Sequence, residues 1–308
     1  MKTKAIPIVM VALIGVCIFA PIVSAKTAEE WNEKGVSFEM SAEYENAIEC
    51  FDKAIELNPN FADAYVNRGV AYKLLCQYEK AIEDYNKAIE LNPNYAEAYI
   101  NRGNAYVDLK QYERAIGDFN KVIELNPEYV LAYFNRGVAY YDSKQYERGI
   151  EDFNKAIELN PNFADAYYNC GNAYCELKQY DKAIRKFNKT IELNPNLADA
   201  YVSRGAAYSY LKQRERAIGD YNKAIELNPN CAKAYYNRGI IYDNLKQHER
   251  AIEDFDKAIE LNPNLAEAYD YREHALSKLK EQKSVPGFKV AVAIAGLLAI
   301  AYLLRRGK

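Results

Sequence analysis

Asparagine recurs at one fixed spacing. Asn67, Asn101, Asn135, Asn169 and Asn237 stand at multiples of 34 residues, with Ser203 interrupting the row. Asn104 and Asn172 follow three residues behind two of them. A side-chain amide carries donors and an acceptor together, so it can pair with both groups of a peptide bond. A row of amides at regular spacing therefore suits an extended backbone, with little preference for its sequence. Apolar or aromatic side chains stand directly before the asparagines, Phe134, Tyr168 and Tyr236 among them.

A second spacing pairs opposite charges sixteen residues apart: Arg68 with Asp84, Arg102 with Asp118, Arg136 with Asp152, Arg204 with Asp220 and Arg238 with Asp254. Two copies change both members at once, to Cys170 with Lys186 and to Lys34 with Cys50. Joint change implies contact, so these positions are expected to form bridges clipping two helices together, not a phosphate-binding ladder. Reactive groups are sparse. The two histidines, His248 and His274, lie on different helices, and no nucleophile elbow, phosphate loop or metal-spaced cluster occurs. Neither catalysis, a cofactor nor a metal is expected.

The element that positions these residues is a 34-residue text repeated seven times without insertion, over 28–61, 62–95, 96–129, 130–163, 164–197, 198–231 and 232–265. A fixed period of this size signals a solenoid. Each copy reads as two amphipathic helices and a turn, too small to bury a core alone, so stacking supplies the stability. Asn-Pro-Asn joints end one copy and open the next, since Pro cannot continue a helix. The second asparagine of each joint, followed by an acid as in Asn60/Asp63, Asn94/Glu97, Asn162/Asp165, Asn196/Asp199 and Asn264/Glu267, predicts a capping box. Glu128 and Lys233 break that pattern and mark the expected weak joints. Tyrosines at helical spacing predict the core. Residues 266–282 read as a polar capping helix.

Within each repeat an aromatic stands at position 4, glycine at 8, an aromatic at 11, a small residue at 20, an aromatic at 24 and Pro at 32. This pattern resembles the tetratricopeptide repeat, over 238 of 308 residues. The resemblance implies an all-α, right-handed superhelical solenoid whose first helices line a concave groove. The asparagines, with Phe134, Tyr168 and Tyr236, then become candidate ligands for a peptide in that groove. The row resembles the asparagine ladder of O-GlcNAc transferases. The alternative is that these amides bridge adjacent helices. Position 7 is usually leucine in that family, so the arginines depart from it. A basic carboxylate clamp fits badly, because position 2 is mostly acidic (Glu29, Asp63, Glu97, Asp165, Asp199).

The ends speak to location. Residues 1–25 hold two lysines, an apolar run and Val23-Ser24-Ala25, the layout of a secretory signal peptide. Near the other end, 283–308 carries Pro286-Gly287-Phe288, a short apolar run and Arg305-Arg306-Gly307-Lys308. It resembles the PGF-type sorting signal of archaeal surface proteins. That implies membrane attachment through the C-terminal segment or a lipid replacing it. Six basic residues and no acids lie in 1–25 and 286–308, which leaves 34 basic against 43 acidic residues, a net charge of −9. A surface so acidic disfavours nucleic acid. Five cysteines outside residues 1–25 occupy unrelated positions, so no disulfide framework is expected. The sequon Asn188-Lys189-Thr190 falls mid-helix, a poor place for glycosylation. The reading is an exported, surface-held, non-enzymatic scaffold for a protein or peptide partner. A self-associating envelope spacer or assembly factor is the alternative, and glycan or surface-layer attachment a third.

Overall fold

The computed structural model describes residues 26–284. The expected signal peptide and C-terminal anchor lie outside the described residues. Fifteen helices fall among those described, in two compact units divided between Pro93 and Asn94. The first holds α1 (Ala28–Met40), α2 (Tyr44–Leu57), α3 (Ala62–Leu74) and α4 (Tyr78–Leu91). The second holds α5 (Ala96–Asp108), α6 (Tyr112–Leu125), α7 (Val130–Asp142), α8 (Tyr146–Leu159), α9 (Ala164–Glu176) and α10 (Tyr180–Leu193). It continues through α11 (Ala198–Tyr210), α12 (Arg214–Leu227), α13 (Ala232–Asn244), α14 (His248–Leu261) and α15 (Ala266–Ser284). Odd and even helices pair as hairpins, and within each unit every hairpin packs on the next. No strand occurs among the described residues.

A close contact between ring and backbone sets each hairpin. Phe51, Tyr85, Phe119, Phe153, Phe187, Tyr221 and Phe255 are at most 1% exposed. Each lies against the glycine sixteen residues before it. A Cβ on Gly103 would stand 2.6 Å from Cε1 of Phe119, well inside van der Waals contact. Glycine is needed here for space. Only this aromatic position is fully buried throughout. Tyrosines at positions 4, 11 and 17, which the spacing placed in the core, are mostly half-buried, those at 4 and 11 flanking the arginines described below.

The turn inside each hairpin was not legible. Ala42, Cys76, Lys110, Lys144, Lys178, Lys212 and Lys246 all take a left-handed conformation, with φ between 56° and 63°. The next N–H reaches back five residues, as from Gln111 to the Tyr106 carbonyl at 2.8 Å, closing a Schellman motif. Lysine there bears a conformational penalty of roughly 1 kcal/mol that glycine would avoid.

The joints between hairpins correct the capping expectation. The N-caps of α3, α5, α9 and α11 are Phe61, Tyr95, Phe163 and Leu197, with no side-chain cap bond. The helix starts one residue later than expected, so the second asparagine does not stand at the cap. Instead the first asparagine accepts from the N–H two residues on, as Asn58 does from Asn60 at 3.1 Å. Glu128 donates its N–H to Asn126 at the same 3.1 Å, so the loss of asparagine there removes no bond of this joint. A true capping box occurs at α1, between Thr27 and Glu30.

Two measurements follow from this packing. Gly103→Ala should lower the unfolding free energy by about 1–3 kcal/mol in urea titration. Gly117→Ala, whose Cβ would meet nothing within 4 Å, should raise it by up to about 1 kcal/mol. The five described cysteines are free. Burial pushes the Cys170 and Cys175 thiols up to about 11. At pH 8 roughly one in a thousand is thiolate, so maleimide labelling of the native protein should reach exposed Cys76 first and leave these two protected.

Candidate functional site

The expected arginine–aspartate bridges form within every hairpin that carries both residues. Arg102 donates from Nε and Nη2 to the two carboxylate oxygens of Asp118, at 2.9 and 2.6 Å. Arg68, Arg136, Arg204 and Arg238 repeat the fork on Asp84, Asp152, Asp220 and Asp254. Both partners are largely buried: 17% of the Arg102 side chain and 8% of the Asp118 side chain are exposed. The rings of Tyr99 and Tyr106 stand 5.4 and 6.0 Å from the Arg102 guanidinium, within cation–π range.

A third partner was missed. The remaining guanidinium nitrogen reaches back into the preceding hairpin: Arg136 to Asn120 at 2.6 Å, Arg204 to Asn188 at 2.7 Å, Arg238 to Asn222 at 2.5 Å, and Arg68 to Asp52 at 2.5 Å. One arginine thus ties its own hairpin shut and anchors it to the neighbour. In the fifth repeat Lys186 Nζ takes over, donating to Asn154 at 2.7 Å beside buried Cys170. The bond from Arg204 occupies the side-chain amide oxygen of Asn188, and Thr190 of the same sequon is fully buried with its hydroxyl on the Lys186 backbone carbonyl.

Burial raises the carboxyls of Asp84, Asp118 and Asp152, and the arginine hydrogen bonds pull against it without overcoming it. The hydrogen bonds that Arg136 donates to Asp152 in turn hold its guanidinium above its ordinary value. Desolvation therefore offsets much of the attraction. The bridge contributes little net stability, but removing one partner strands the other charge.

The candidate groove residues lie on the odd-numbered helices, and all are half-buried. Asn67 Nδ2 donates to Asn32 Oδ1 at 3.0 Å, and Asn135 Nδ2 to Asn104 Oδ1 at 2.9 Å, so these two amides do bridge neighbouring helices. Asn169 donates to its own helix, at the Asp165 carbonyl. Phe134 packs between Phe153 and Phe163, and Tyr168 against Phe187 with its hydroxyl 3.4 Å from Ser203. Tyr236 sits against Phe255 and Tyr271. The geometry gathers Asn101, Asn104 and Asn135 into one open cavity of about 520 Å3 between α5 and α7, with Ile100, Leu131, Tyr95 and Tyr129. Asn172 and Asn237 are not part of it.

The two histidines meet on one carboxylate. Asp243 of α13 takes His248 Nδ1 at 2.7 Å and His274 Nδ1 at 3.0 Å, stapling α14 and α15 to it. Among the described residues no group of three histidine, cysteine or carboxylate side chains is placed to hold a metal.

Hairpins of this geometry have known relatives. Tetratricopeptide repeat models match 62–95, 130–163, 198–231 and 232–265, while further models of the repeat match 43–75, 103–144 and 171–212, and 84–117 and 153–185. Together they run unbroken from 43 to 265. The chain belongs to the tetratricopeptide repeat family. A PGF-CTERM motif matches residues 285–307. Among solved structures the chain is similar to YrrB, described as a TPR protein with an unusual peptide-binding site. The two share 29% identity over 62% of this chain and 99% of that one, with a TM-score of 0.52. A tetratricopeptide repeat protein of Parabacteroides merdae matches at 25% identity over 81% and 98%, with a TM-score of 0.63. MamA matches at 31% identity over 56% and 94%, with a TM-score of 0.51. No curated protein matches. No described helix is long and apolar enough to cross a membrane.

A double-mutant cycle on Arg102 and Asp118 tests the bridge. Each alanine variant should lose about 3 kcal/mol, the double much less than the sum, with a coupling of about 1–3 kcal/mol in urea unfolding. A coupling near zero would sink the bridge.

Proposed function

We propose that this chain is an exported scaffold, held at the outer cell surface through its C-terminal segment, that grips an extended segment of a partner protein along its odd-numbered helices. The cavity between α5 and α7 carries the reading. It brings three asparagines beside apolar side chains, the mixture that lets a site pair with a backbone and shelter a side chain at once. The peptide-binding site of YrrB, on a similar repeat array, is compatible with it. The PGF-CTERM match supports surface anchoring, since such a motif marks the C-terminus for attachment. The repeat itself supports protein interaction more than catalysis, because the fold is a platform and its partner is read from the site.

A second reading has an observation behind it. Asn67 and Asn135 donate to neighbouring helices, as expected of amides that serve packing. On that reading the array is a self-associating spacer whose contacts lie on other faces.

Crosslinking in intact cells separates the two. The wild type is compared with a variant carrying Asn67→Ala, Asn101→Ala and Asn135→Ala that retains its melting temperature. A partner crosslinked to the odd-numbered helices in the wild type should be lost, about tenfold or more, in the variant. Identical partners in both, or recovery of the protein alone, would instead favour the spacer.

A further inference from the structure

The cavity between α5 and α7 differs from its counterparts along the array. Position 2 of the repeat is Glu97, Asp165 and Asp199 in neighbouring copies, all exposed. In the fourth copy it is Leu131, 48% exposed. One exposed leucine is ordinary on a protein surface. Its company is not. Leu131 shares the cavity with apolar and aromatic Ile100, Tyr95 and Tyr129 and with polar Glu97, Asn101, Asn104 and Asn135.

The amides there have capacity to spare. Asn101 makes no side-chain hydrogen bond among the described residues. Asn135 donates to the Asn104 oxygen, which leaves the Asn104 amide hydrogens and the Asn135 oxygen open. Neighbouring helices pack at about 8–10 Å, the length of roughly three extended residues at 3.3 Å each. Amides on α5 and α7 thus match peptide groups about three residues apart on one strand-like ligand. Such a ligand turns alternate side chains to the same face, so residues two apart enter the cavity together.

Charge narrows the ligand further. Glu97 lines the cavity, and neither lysine nor arginine does. We propose that the α5–α7 cavity selects an extended protein segment in which a bulky apolar side chain lies two residues from a lysine or arginine. The apolar side chain rests on Leu131, Ile100 and Tyr129. The cation faces Glu97, and the asparagines hold the backbone between them. This rests on the groove reading above and adds a sequence preference to it, where a plain asparagine row would show none.

The test uses the purified full-length protein and acetylated nine-residue peptides with a fluorescent label at one end, read by anisotropy. One peptide carries Leu-Ala-Lys at its centre in a Ser/Gly background, and the others replace it with Ser-Ala-Lys or Leu-Ala-Glu. Leu-Ala-Lys should bind about tenfold or more tightly than either, the scale expected for one apolar group in a pocket. Leu131→Glu should abolish the preference for leucine, and Glu97→Lys should reverse the preference for lysine over glutamate. Both residues are exposed, so both variants should keep the wild-type melting temperature. Binding that ignores both substitutions overturns the cavity's selectivity. Crosslinking to the odd-numbered helices would in that case still uphold the groove. Failure of all three peptides to bind the wild type overturns the proposal as well, and the groove reading falls with it only if the asparagine variant also keeps every crosslinked partner.

Discussion

A ring placed where a side chain would otherwise begin is the constraint on which this array depends. Phe119 sits where a Cβ on Gly103 would be, and the same pair recurs in all seven hairpins. That contact brings the two helices of a hairpin close enough for Arg102 to fork across to Asp118. Were the helices held further apart, the guanidinium would have to choose between its own hairpin and the next. As built, Arg136, Arg204 and Arg238 bind both, with the tyrosines beside them sheltering the charge. Hydrophobic burial supplies the driving force, and the arginines add directed hydrogen bonds within and between hairpins.

What was legible in the sequence follows from where the repeat varies. The arginine–aspartate bridge could be read because Cys170 and Lys186 change together, so one copy served as a natural double mutant of the others. The partner in the preceding hairpin hid in plain view. Asn120, Asn188 and Asn222 vary too little to betray a contact. Left-handed Lys110 and Lys144 were hidden for another reason: lysine is not a residue whose presence announces that conformation. Capping was misread because Asn-x-x-acid is sound local logic that a one-residue shift of the helix start defeats. The junction of His248 and His274 on Asp243 occurs once, across three helices, and offers no periodicity to read.

The candidate site shows the same division. Periodicity named the asparagines correctly as a row on the odd-numbered helices, yet it treated them as equals. The structure does not. Asn67, Asn135 and Asn169 are each engaged within the fold, and Asn101 lines a cavity together with apolar side chains. What distinguishes the members is Leu131, a departure from the repeat that its text treats as noise. In a periodic protein the shared residues build the frame, and individuality lies in the exceptions.

The arginine that reaches into the preceding hairpin has a consequence for how such an array changes length. Its acceptor is an asparagine at three interior positions, Asn120, Asn188 and Asn222, and Lys186 uses the asparagine at the equivalent place, Asn154. Interior copies therefore present interchangeable plugs and sockets. Unequal exchange between them would delete or duplicate a whole hairpin and still leave every joint satisfied. Aspartate stands in that place at Asp52 and Asp256, towards the two ends of the array, where it meets Arg68 and Arg272. Those two sockets carry a charge that the interior ones lack. The middle of the array is thus free to drift in length while its ends are fixed in kind.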